Sequence, residues 1–283
     1  MKQIVVISGK GGTGKTVIAG ALSALAEKKV MVDCDVDAAD LHLLLSPVIK
    51  ERHEFRSGKT ALIDSKYCNK CGKCIEICRF KAIKTDYTVE TFSCEGCSLC
   101  GRVCPVNAIR MEENVAGEWF ISDTKYGPFV HAKLGIAEEN SGKLVAKIRQ
   151  IARDIAKRDN LDCVIIDGPP GIGCPVIASL TGVNCALIVT EPTMSGLHDA
   201  QRIIETAGYF NVPVKLVINK YDLNLEMSDR IEQFCHEKSI PIIGKIIFDK
   251  IVVESMVQGK TIVEYPDSPV KNEIIKIWET LKK

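Results

Sequence analysis

Eight cysteines form two runs of identical spacing in this chain. Both runs follow the pattern C-x2-C-x2-C-x3-C, and the second repeats the first at an offset of 26 residues. The first run is Cys68, Cys71, Cys74 and Cys78, and the second is Cys94, Cys97, Cys100 and Cys104. Paired runs of this kind hold [4Fe–4S] clusters through their thiolates. A repeat this short cannot bury a sufficient apolar core, so we expect bound metal to supply much of its folding energy.

The cysteine-rich segment 60–113 interrupts a second pattern, in which short apolar runs alternate with amphipathic stretches. Runs that are apolar at nearly every position are typical of strands buried on both faces of a parallel sheet. We therefore predict a doubly wound, mostly parallel α/β sheet from residues 1–59 and 114–283, with 60–113 inserted as a small separate domain. The predicted strands are Ile4–Ile7, Val30–Val32, Gly117–Thr124, Gly127–Lys133, Val164–Ile166, Ala186–Val189, Val214–Ile218 and Ile242–Ile247. The predicted helices are Thr16–Glu27, Lys143–Lys157, His198–Gly208, Met227–Glu237 and Val270–Leu281.

A phosphate-binding loop lies between the first predicted strand and the first predicted helix. Its sequence is Gly9-Lys10-Gly11-Gly12-Thr13-Gly14-Lys15-Thr16, which satisfies G-x4-G-K-[ST]. The glycines allow backbone N–H groups to approach phosphate oxygens, and the helix amino terminus adds positive potential. We predict that Lys15 contacts the β- and γ-phosphates of a nucleotide and that the Thr16 hydroxyl ligates Mg²⁺.

Three further predicted strands are followed by polar residues suited to a nucleotide site. Asp33 and Asp35 follow Val30–Val32, and Asp167 ends an apolar run and precedes Gly168-Pro169-Pro170-Gly171. Asn219 follows Val214–Ile218. Positioning of water, metal and phosphate is most of what phosphoryl transfer requires of a protein.

Together these segments resemble the MinD/Mrp/ParA superfamily of P-loop ATPases, in members that contain an inserted two-cluster ferredoxin domain. The loop Lys10-Gly11-Gly12-Thr13-Gly14-Lys15-Thr16 is similar to the deviant phosphate loop of that class. The resemblance implies that Lys10 reaches across an ATP-dependent homodimer to the partner's nucleotide.

The same resemblance implies roles for the polar residues after the strands. Asp33 would hold a Mg²⁺-bound water, and Asp35 would orient the water that attacks the γ-phosphate. Asp167 would bind Mg²⁺ through water, and the Gly171 N–H would meet the γ-phosphate. Asn219 would contact adenine.

The resemblance to two-cluster ferredoxins also implies how the cysteines divide. In those proteins the fourth cysteine of each run ligates the other cluster. By that rule one cluster takes Cys68, Cys71, Cys74 and Cys104, and the other takes Cys94, Cys97, Cys100 and Cys78. Two four-cysteine zinc sites are the alternative, although zinc sites usually pair C-x2-C knuckles that longer loops separate.

One segment fits the recognition of either adenine or guanine. Asn219-Lys220-Tyr221-Asp222 also fits the N-K-x-D pattern with which GTPases recognise guanine. We favour ATP, because every other nucleotide motif belongs to the ATPase class.

The composition limits the classes of binding partner and the cellular compartment that we expect for this chain. The 37 basic and 36 acidic residues give a net charge of +1 over 283 residues, without the basic excess of nucleic-acid-binding proteins. Met1 runs almost directly into the first strand without room for a signal peptide, so we expect a cytoplasmic, reducing setting. The chain lacks an apolar stretch of the roughly 18 to 20 residues needed to span a bilayer, and we expect neither a membrane nor a nucleic-acid partner.

The leading hypothesis from these patterns is an ATPase in which nucleotide state gates electron transfer through two [4Fe–4S] clusters. Its expected partners are a second copy of the chain and a redox protein. The alternative is an iron–sulfur cluster carrier or assembly ATPase of the Mrp type, whose partner would accept the cluster.

Overall fold

The structure, a computed structural model, describes residues 1–135 and 140–283. The chain divides into two compact units. Unit 1 comprises Met1–Arg52, Trp119–Lys133 and Ser141–Lys283, and unit 2 comprises His53–Glu118 and Leu134–Asn140.

The described residues form nine strands in one sheet. The strands are β1 (Lys2–Ser8), β2 (Lys29–Asp33), β3 (Val48–Ile63), β4 (Ile109–Thr124), β5 (Gly127–Leu134), β6 (Cys163–Pro170), β7 (Cys185–Thr190), β8 (Val214–Asn219) and β9 (Ile242–Ile246). Their order across the sheet is β3-β4-β5-β2-β6-β1-β7-β8-β9. Every neighbouring pair from β5 to β9 in that order is parallel, so the predicted doubly wound, mostly parallel sheet is confirmed.

β1 lies between β6 and β7 near the middle of the sheet. The chain winds outward from β1 in both directions, so the carboxyl ends of β1, β2, β6 and β8 meet at one edge. In sheets of this kind ligands bind at that edge, near the strand where the winding reverses.

The described residues contain ten helices. They are α1 (Lys15–Leu25), α2 (Leu41–Leu45), α3 (Lys73–Ile77), α4 (Leu99–Val103), α5 (Ser141–Arg158), α6 (Cys174–Leu180), α7 (Met194–Tyr209), α8 (Leu225–Glu237), α9 (Lys250–Val257) and α10 (Pro269–Leu281). Of these helices, α3 and α4 belong to unit 2. No helix in these parts of the chain has both the length and the apolar composition to cross a lipid bilayer.

One apolar core lies between β1 and the helices α1 and α10. Ile4 and Val6 of β1 point into it because alternate residues of a strand share a face. Ile18 and Leu22 of α1 cover them, since residues four apart lie on one side of a helix. The apolar stripe of α10, which the sequence predicts, is buried in the same core.

Two strands differ from the sequence prediction. β3 was not predicted, because most of its residues are charged or polar and exposed and give no apolar run. β4 begins at Ile109, eight residues before the predicted Gly117, for the same reason. A two-residue connection, Lys125–Tyr126, joins β4 to β5, as the sequence indicates.

Unit 2 has a small core of its own. Ala61, Cys74, Ile83 and Cys100 are buried there, and the short helices α3 and α4 contact each other. Two of these four core residues are cysteines of the repeated runs. The apolar core is therefore too small to hold the unit without help from its cysteines.

Candidate functional site

The phosphate loop joins β1 to α1 and depends on glycine at several positions. Gly12 and Gly14 have φ values of 80° and 88°, a left-handed conformation that favours glycine. A Cβ on Gly14 would lie 2.3 Å from Asn219 Nδ2. A Cβ on Gly9 would lie 2.0 Å from the Cβ of Asp199 in α7. Glycine therefore lets the loop approach both β8 and α7 closely.

Lys15, the first residue of α1, lies among three aspartates. Its Nζ is 2.9 Å from Asp167 Oδ1 on β6 and 3.7 Å from Asp35 Oδ2, just after β2. Asp33 and Asp167 are register partners on neighbouring strands, and both are buried. The two Asp33 oxygens accept backbone hydrogen bonds from Asp35 at 3.0 Å and Leu41 at 3.2 Å.

The buried charges of this cluster do not balance, because one ammonium faces three carboxylates. Burial lowers the pKa of Lys15, but Asp167 and Asp35 outweigh it and raise that pKa above its ordinary value. Burial raises the pKa of Asp33 well above its ordinary value and raises the pKa of Asp35 and Asp167 as well. Asp167 Oδ2 is buried and has no hydrogen-bond partner among the described residues. Surplus carboxylates with an unpartnered oxygen fit a divalent cation such as Mg²⁺, which prefers oxygen ligands.

Thr16 and Gly171 lie beside this cluster. Although burial raises the pKa of Asp167 overall, the Thr16 hydroxyl favours the charged form of that carboxyl. Gly171 follows β6 with a φ of 91°, and its N–H donates to the Ser8 carbonyl at 3.0 Å. This N–H must therefore exchange its Ser8 contact before it can donate to a phosphate oxygen.

The side chains of the Asn219-Lys220-Tyr221-Asp222 segment contact nearby backbone groups. Asn219 Nδ2 donates to the Thr13 carbonyl at 2.8 Å, and Asn219 Oδ1 accepts from Lys220 N at 3.1 Å. Asp222 Oδ1 accepts from the Phe248 backbone N–H at 2.7 Å. These contacts tie β8 to the phosphate loop and to the loop after β9.

A cavity of about 490 Å³ opens beside these residues. The predicted site residues that line it are Gly11, Gly12, Thr13, Gly14, Lys15, Thr16, Asp35 and Asn219. Its far wall is apolar and includes Leu43, Phe248, Val253 and Met256. A polar phosphate end and an apolar end match the two ends of a nucleotide.

Lys10 points away from Lys15 and the aspartates. Its Nζ lies 3.6 Å from Glu191 Oε2 and within 3.4 to 3.5 Å of the Ser195 and Thr193 hydroxyls at the start of α7. Glu191 Oε1 also accepts from Lys220 Nζ at 2.5 Å. The structure therefore brings the other loop residues together and leaves Lys10 on a separate carboxylate.

The repeated cysteines of unit 2 line two small cavities. One cavity is bordered by Cys68, Cys71, Cys74 and Cys104, and the other by Cys78, Cys94, Cys97 and Cys100. Each set takes three cysteines from one run and the fourth cysteine of the other run, which is the division that the ferredoxin resemblance implies. Apolar side chains such as Ile109 and Ile83 complete the walls.

Each set contains the four thiols that a [4Fe–4S] cluster requires. Among the described residues, no three His, Cys, Asp or Glu side chains converge as ligands of one metal ion. In a [4Fe–4S] cluster four cysteines share the coordination, one to each iron, so the thiolates surround a volume rather than a point. The number and type of the residues around each cavity therefore fit such a cluster.

The sequence prediction did not include Glu191 and Phe248. Glu191 directly follows the apolar strand β7, the same signal that identified Asp33 and Asp167. Phe248 follows β9 but carries no charge or hydrogen-bonding group, and only the fold places it on the cavity wall.

Known proteins resemble this chain over nearly its whole length. An uncharacterized protein of Methanocaldococcus jannaschii is 34% identical over 286 residues, which cover 99% of this chain and 96% of that protein. An iron–sulfur cluster carrier protein of Pyrococcus horikoshii is 25% identical over 301 residues, covering 99% of this chain and 85% of that one. The septum site-determining protein MinD of P. horikoshii, solved with Mg-ADP, superposes with a TM-score of 0.60 at 18% identity, covering 100% and 96% of the two chains. That structure shares the fold described above.

Residues 4–262 match the CobQ/CobB/MinD/ParA nucleotide binding domain. This span contains the phosphate loop, the three aspartates around Lys15, and Asn219. The chain therefore belongs to the CobQ/CobB/MinD/ParA family and is an ATP-binding P-loop protein.

Proposed function

We propose that this protein hydrolyses ATP and that its nucleotide state gates electron transfer through two [4Fe–4S] clusters. One observation carries the proposal. The eight cysteines divide into two sets of four, one around each cavity, in a chain that also has a phosphate loop. A protein that only bound ATP would need neither set.

Binding of Mg²⁺·ATP would use the cluster around Lys15. Lys15 would contact the β- and γ-phosphates, Thr16 would ligate Mg²⁺, and Asp33 and Asp167 would hold it through water. Asp35, which lies 3.7 Å from the Lys15 ammonium, would orient the attacking water. The unpartnered Asp167 Oδ2 supports this assignment, because a hydrated cation would satisfy it.

Hydrolysis is proposed to be slow or stimulated by a partner. Gly171 N–H donates to Ser8, and Lys10 contacts Glu191, so neither group is directed at the Lys15 cluster. Both must move before they can stabilise charge on the γ-phosphate. A second copy of the chain that binds in an ATP-dependent homodimer would supply the rearrangement, with Lys10 reaching the partner's nucleotide.

The cysteines would hold the redox centres within segment 60–113. Cys68, Cys71, Cys74 and Cys104 would ligate one cluster, and Cys78, Cys94, Cys97 and Cys100 the other. Bound clusters supply one-electron transfer at low potential. ATP can gate that transfer only if it binds two conformations of the protein with different affinity.

Anaerobic reconstitution followed by stopped-flow kinetics tests the gate. The reduced protein would be mixed with a low-potential viologen acceptor in the presence of no nucleotide, Mg²⁺·ADP or Mg²⁺·ATP. We expect the rate of cluster oxidation to depend on the nucleotide in the native protein and to be independent of it in Lys15→Ala. Identical rates with all three additions to the native protein would contradict the gate.

A cluster carrier is the second candidate, supported by the name of the Pyrococcus relative. A carrier must release its cluster, whereas a relay must keep it. Iron would be counted before and after incubation with an apo-ferredoxin that takes up [4Fe–4S] clusters. About eight irons per chain that stay bound support the relay, and loss of iron to the acceptor supports the carrier.

A further inference from the structure

Lys10 is held within its own chain by a carboxylate that no step of the proposed hydrolysis uses. The Glu191 carboxylate lies 3.6 Å from the Lys10 ammonium, and the Ser195 and Thr193 hydroxyls lie 3.4 and 3.5 Å from it. Glu191 directly follows β7, and Thr193 caps the amino terminus of α7 by accepting from Gly196 N at 2.9 Å. The phosphate loop is therefore attached to the start of α7 through the Lys10 side chain.

We propose that Glu191 is a positioning residue that holds Lys10 in its own subunit until ATP brings a second copy of the chain. This inference rests on the proposed function, in which Lys10 must reach the nucleotide of the other subunit. Lys10 cannot contact Glu191 and a partner's phosphate at the same time. Glu191 therefore competes with the dimer for the same ammonium.

The second cation on Glu191, Lys220, lowers the free-energy cost of releasing Lys10. Glu191 is largely buried, with 15% of its side chain exposed, and a buried carboxylate left without a cation is strongly destabilising. Lys220 Nζ donates to the other oxygen of the same carboxylate at 2.5 Å and remains there when Lys10 leaves. Lys10, by contrast, is 35% exposed, and its side chain can turn into solvent.

The charge and geometry also limit how strongly Lys10 is held. A partly exposed pair at 3.6 Å lies at the weak end of ion pairs, so its loss changes an equilibrium by about two- to five-fold. Such an interaction can weaken the dimer by this factor but cannot prevent its formation once a triphosphate is bound. Glu191 thus adjusts the nucleotide-dependent dimer equilibrium.

Two measurements on Glu191→Gln separate the positioning of Lys10 from the dimer itself. The first is the rate at which an N-hydroxysuccinimide ester acylates Lys10 in the nucleotide-free monomer, read by peptide mass spectrometry. The second is the dimer dissociation constant in Mg²⁺ and a non-hydrolysable ATP analogue, from analytical ultracentrifugation. Glu232→Gln is the matched control, because it removes a pair with Lys245 at 2.8 Å elsewhere on the surface.

We expect Glu191→Gln to raise Lys10 acylation and to tighten the dimer, each by about two- to five-fold, and Glu232→Gln to change neither. Ser195→Ala removes one of the two hydroxyls that contact Lys10 and keeps Glu191. It should raise Lys10 acylation by less and gives a second test if Glu191→Gln folds poorly. Unchanged Lys10 acylation in both variants overturns the positioning role and leaves the proposed function standing. Raised acylation in a protein that forms no dimer with the ATP analogue overturns the proposed homodimer and, with it, the competition for Lys10.

Discussion

Asp33 and Asp167 are register partners on adjacent parallel strands, both are buried, and the ammonium of Lys15 lies 2.9 Å from one Asp167 oxygen. Two carboxylates on neighbouring strands would repel each other without a cation between them. Lys15 supplies one positive charge, and the unpartnered Asp167 Oδ2 leaves room for a second. The protein's own side chains therefore assemble the phosphate site, and in it three carboxylates face one ammonium.

Replacing Lys15 with methionine should destabilise unit 1 and abolish its response to nucleotide. Lys15 is 6% exposed, and removal of one partner from a buried ion pair costs about 3 to 5 kcal/mol. Urea unfolding can follow unit 1 by tryptophan fluorescence, since Trp119 and Trp278 both belong to it. Mg²⁺·ATP should raise the Tm of the native protein and leave the Tm of Lys15→Met unchanged.

Lys245→Met is the control for that variant. Lys245 pairs with Glu232 on the surface, and its loss should cost no more than about 1 kcal/mol. A Lys15→Met protein that is still stabilised by Mg²⁺·ATP to the native extent would contradict the role assigned to Lys15.

Arg149→Met should destabilise unit 1 through the end of α6. Arg149 is buried on α5 and donates to the carbonyls of Ala178 and Thr181, the latter at 2.9 Å, and to Gln3 Oε1 at 3.2 Å. Methionine fills similar volume but leaves these three acceptors without their donor, at a cost of about 2 to 4 kcal/mol. The urea midpoint from tryptophan fluorescence measures this loss.

The same variant should also reduce ATP hydrolysis, because α6 begins three residues after Gly171 and Arg149 holds its far end. Arg158→Met is the comparison, since Arg158 is exposed and pairs with its neighbour Asp159. It should lie within about 0.5 kcal/mol of the native protein. Equal stability of the two variants would show that Arg149 does not stabilise α6.

The sequence predicts those parts of the fold whose signal is local. β1, β2, β6, β7 and β8 consist largely of consecutive apolar residues, and burial on both faces of a parallel sheet demands that pattern. β3 is exposed and charged along much of its length, and its place in the sheet follows from its neighbour β4 rather than from its own residues. The sequence of such a strand lacks the apolar periodicity from which a strand can be predicted.

The candidate site divides in the same way. Spacing alone identifies the phosphate loop and the cysteine runs, because backbone geometry and thiolate ligation require fixed separations along the chain. The contact between Lys10 and Glu191 joins residues 181 positions apart and depends on β7 lying beside β1. Only the folded arrangement of the strands shows that the two side chains meet.

Acid should destabilise unit 1 through His131. The ring stacks between Phe120 and Phe129, at centroid distances of 4.9 and 4.7 Å, and its Nε2 lies 3.0 Å from Ser122 Oγ. Burial, with a contribution from His42, lowers the pKa of His131 from 6.5 to about 4. The unfolded chain therefore binds a proton between these values that the folded chain does not.

The sign of the effect follows from that difference. The stability due to neutral His131 is complete above about pH 6.5 and is lost as the pH falls toward 4, by about 3 kcal/mol in total. His131→Phe, which keeps the aromatic stack, should remove this dependence from urea unfolding curves, whereas His236→Gln on the surface should retain it. Parallel pH profiles for native protein and His131→Phe would exclude His131 as the cause.

The contacts of Asp222 predict that this site does not recognise guanine through its N-K-x-D sequence. Asp222 Oδ1 accepts a hydrogen bond from Phe248 N at 2.7 Å. The oxygen and the nitrogen of the Asn219 side-chain amide both form hydrogen bonds with backbone groups. Asp222→Asn should therefore weaken ATP binding by a few-fold, by loosening the Phe248 loop, without changing the preference between bases. Competition of ATP, GTP and XTP against a fluorescent ATP analogue measures this preference.

A guanine-reading aspartate would give a different result in that competition. It would show tight GTP binding by the native protein, and Asp222→Asn would gain affinity for XTP, because the new amide complements the xanthine edge. Either result would mean that Asp222 leaves Phe248 when nucleotide binds.

The two cysteine cavities predict which substitutions act on the same cluster. Cys97 and Cys104 belong to the same run but line different cavities. Cys104 lines one cavity together with Cys71, and Cys97 lines the other cavity. Cys104→Ser combined with Cys71→Ser should therefore retain about four of the eight irons expected per chain, since both changes remove ligands of one cluster. Cys104→Ser combined with Cys97→Ser should retain almost none, because each change removes a ligand of a different cluster.

Iron analysis and EPR of the dithionite-reduced proteins, prepared without oxygen, measure the outcome. If instead the Cys104/Cys97 pair kept four irons and the Cys104/Cys71 pair lost all of them, each run would bind its own cluster and the division of cysteines between the two cavities would be wrong.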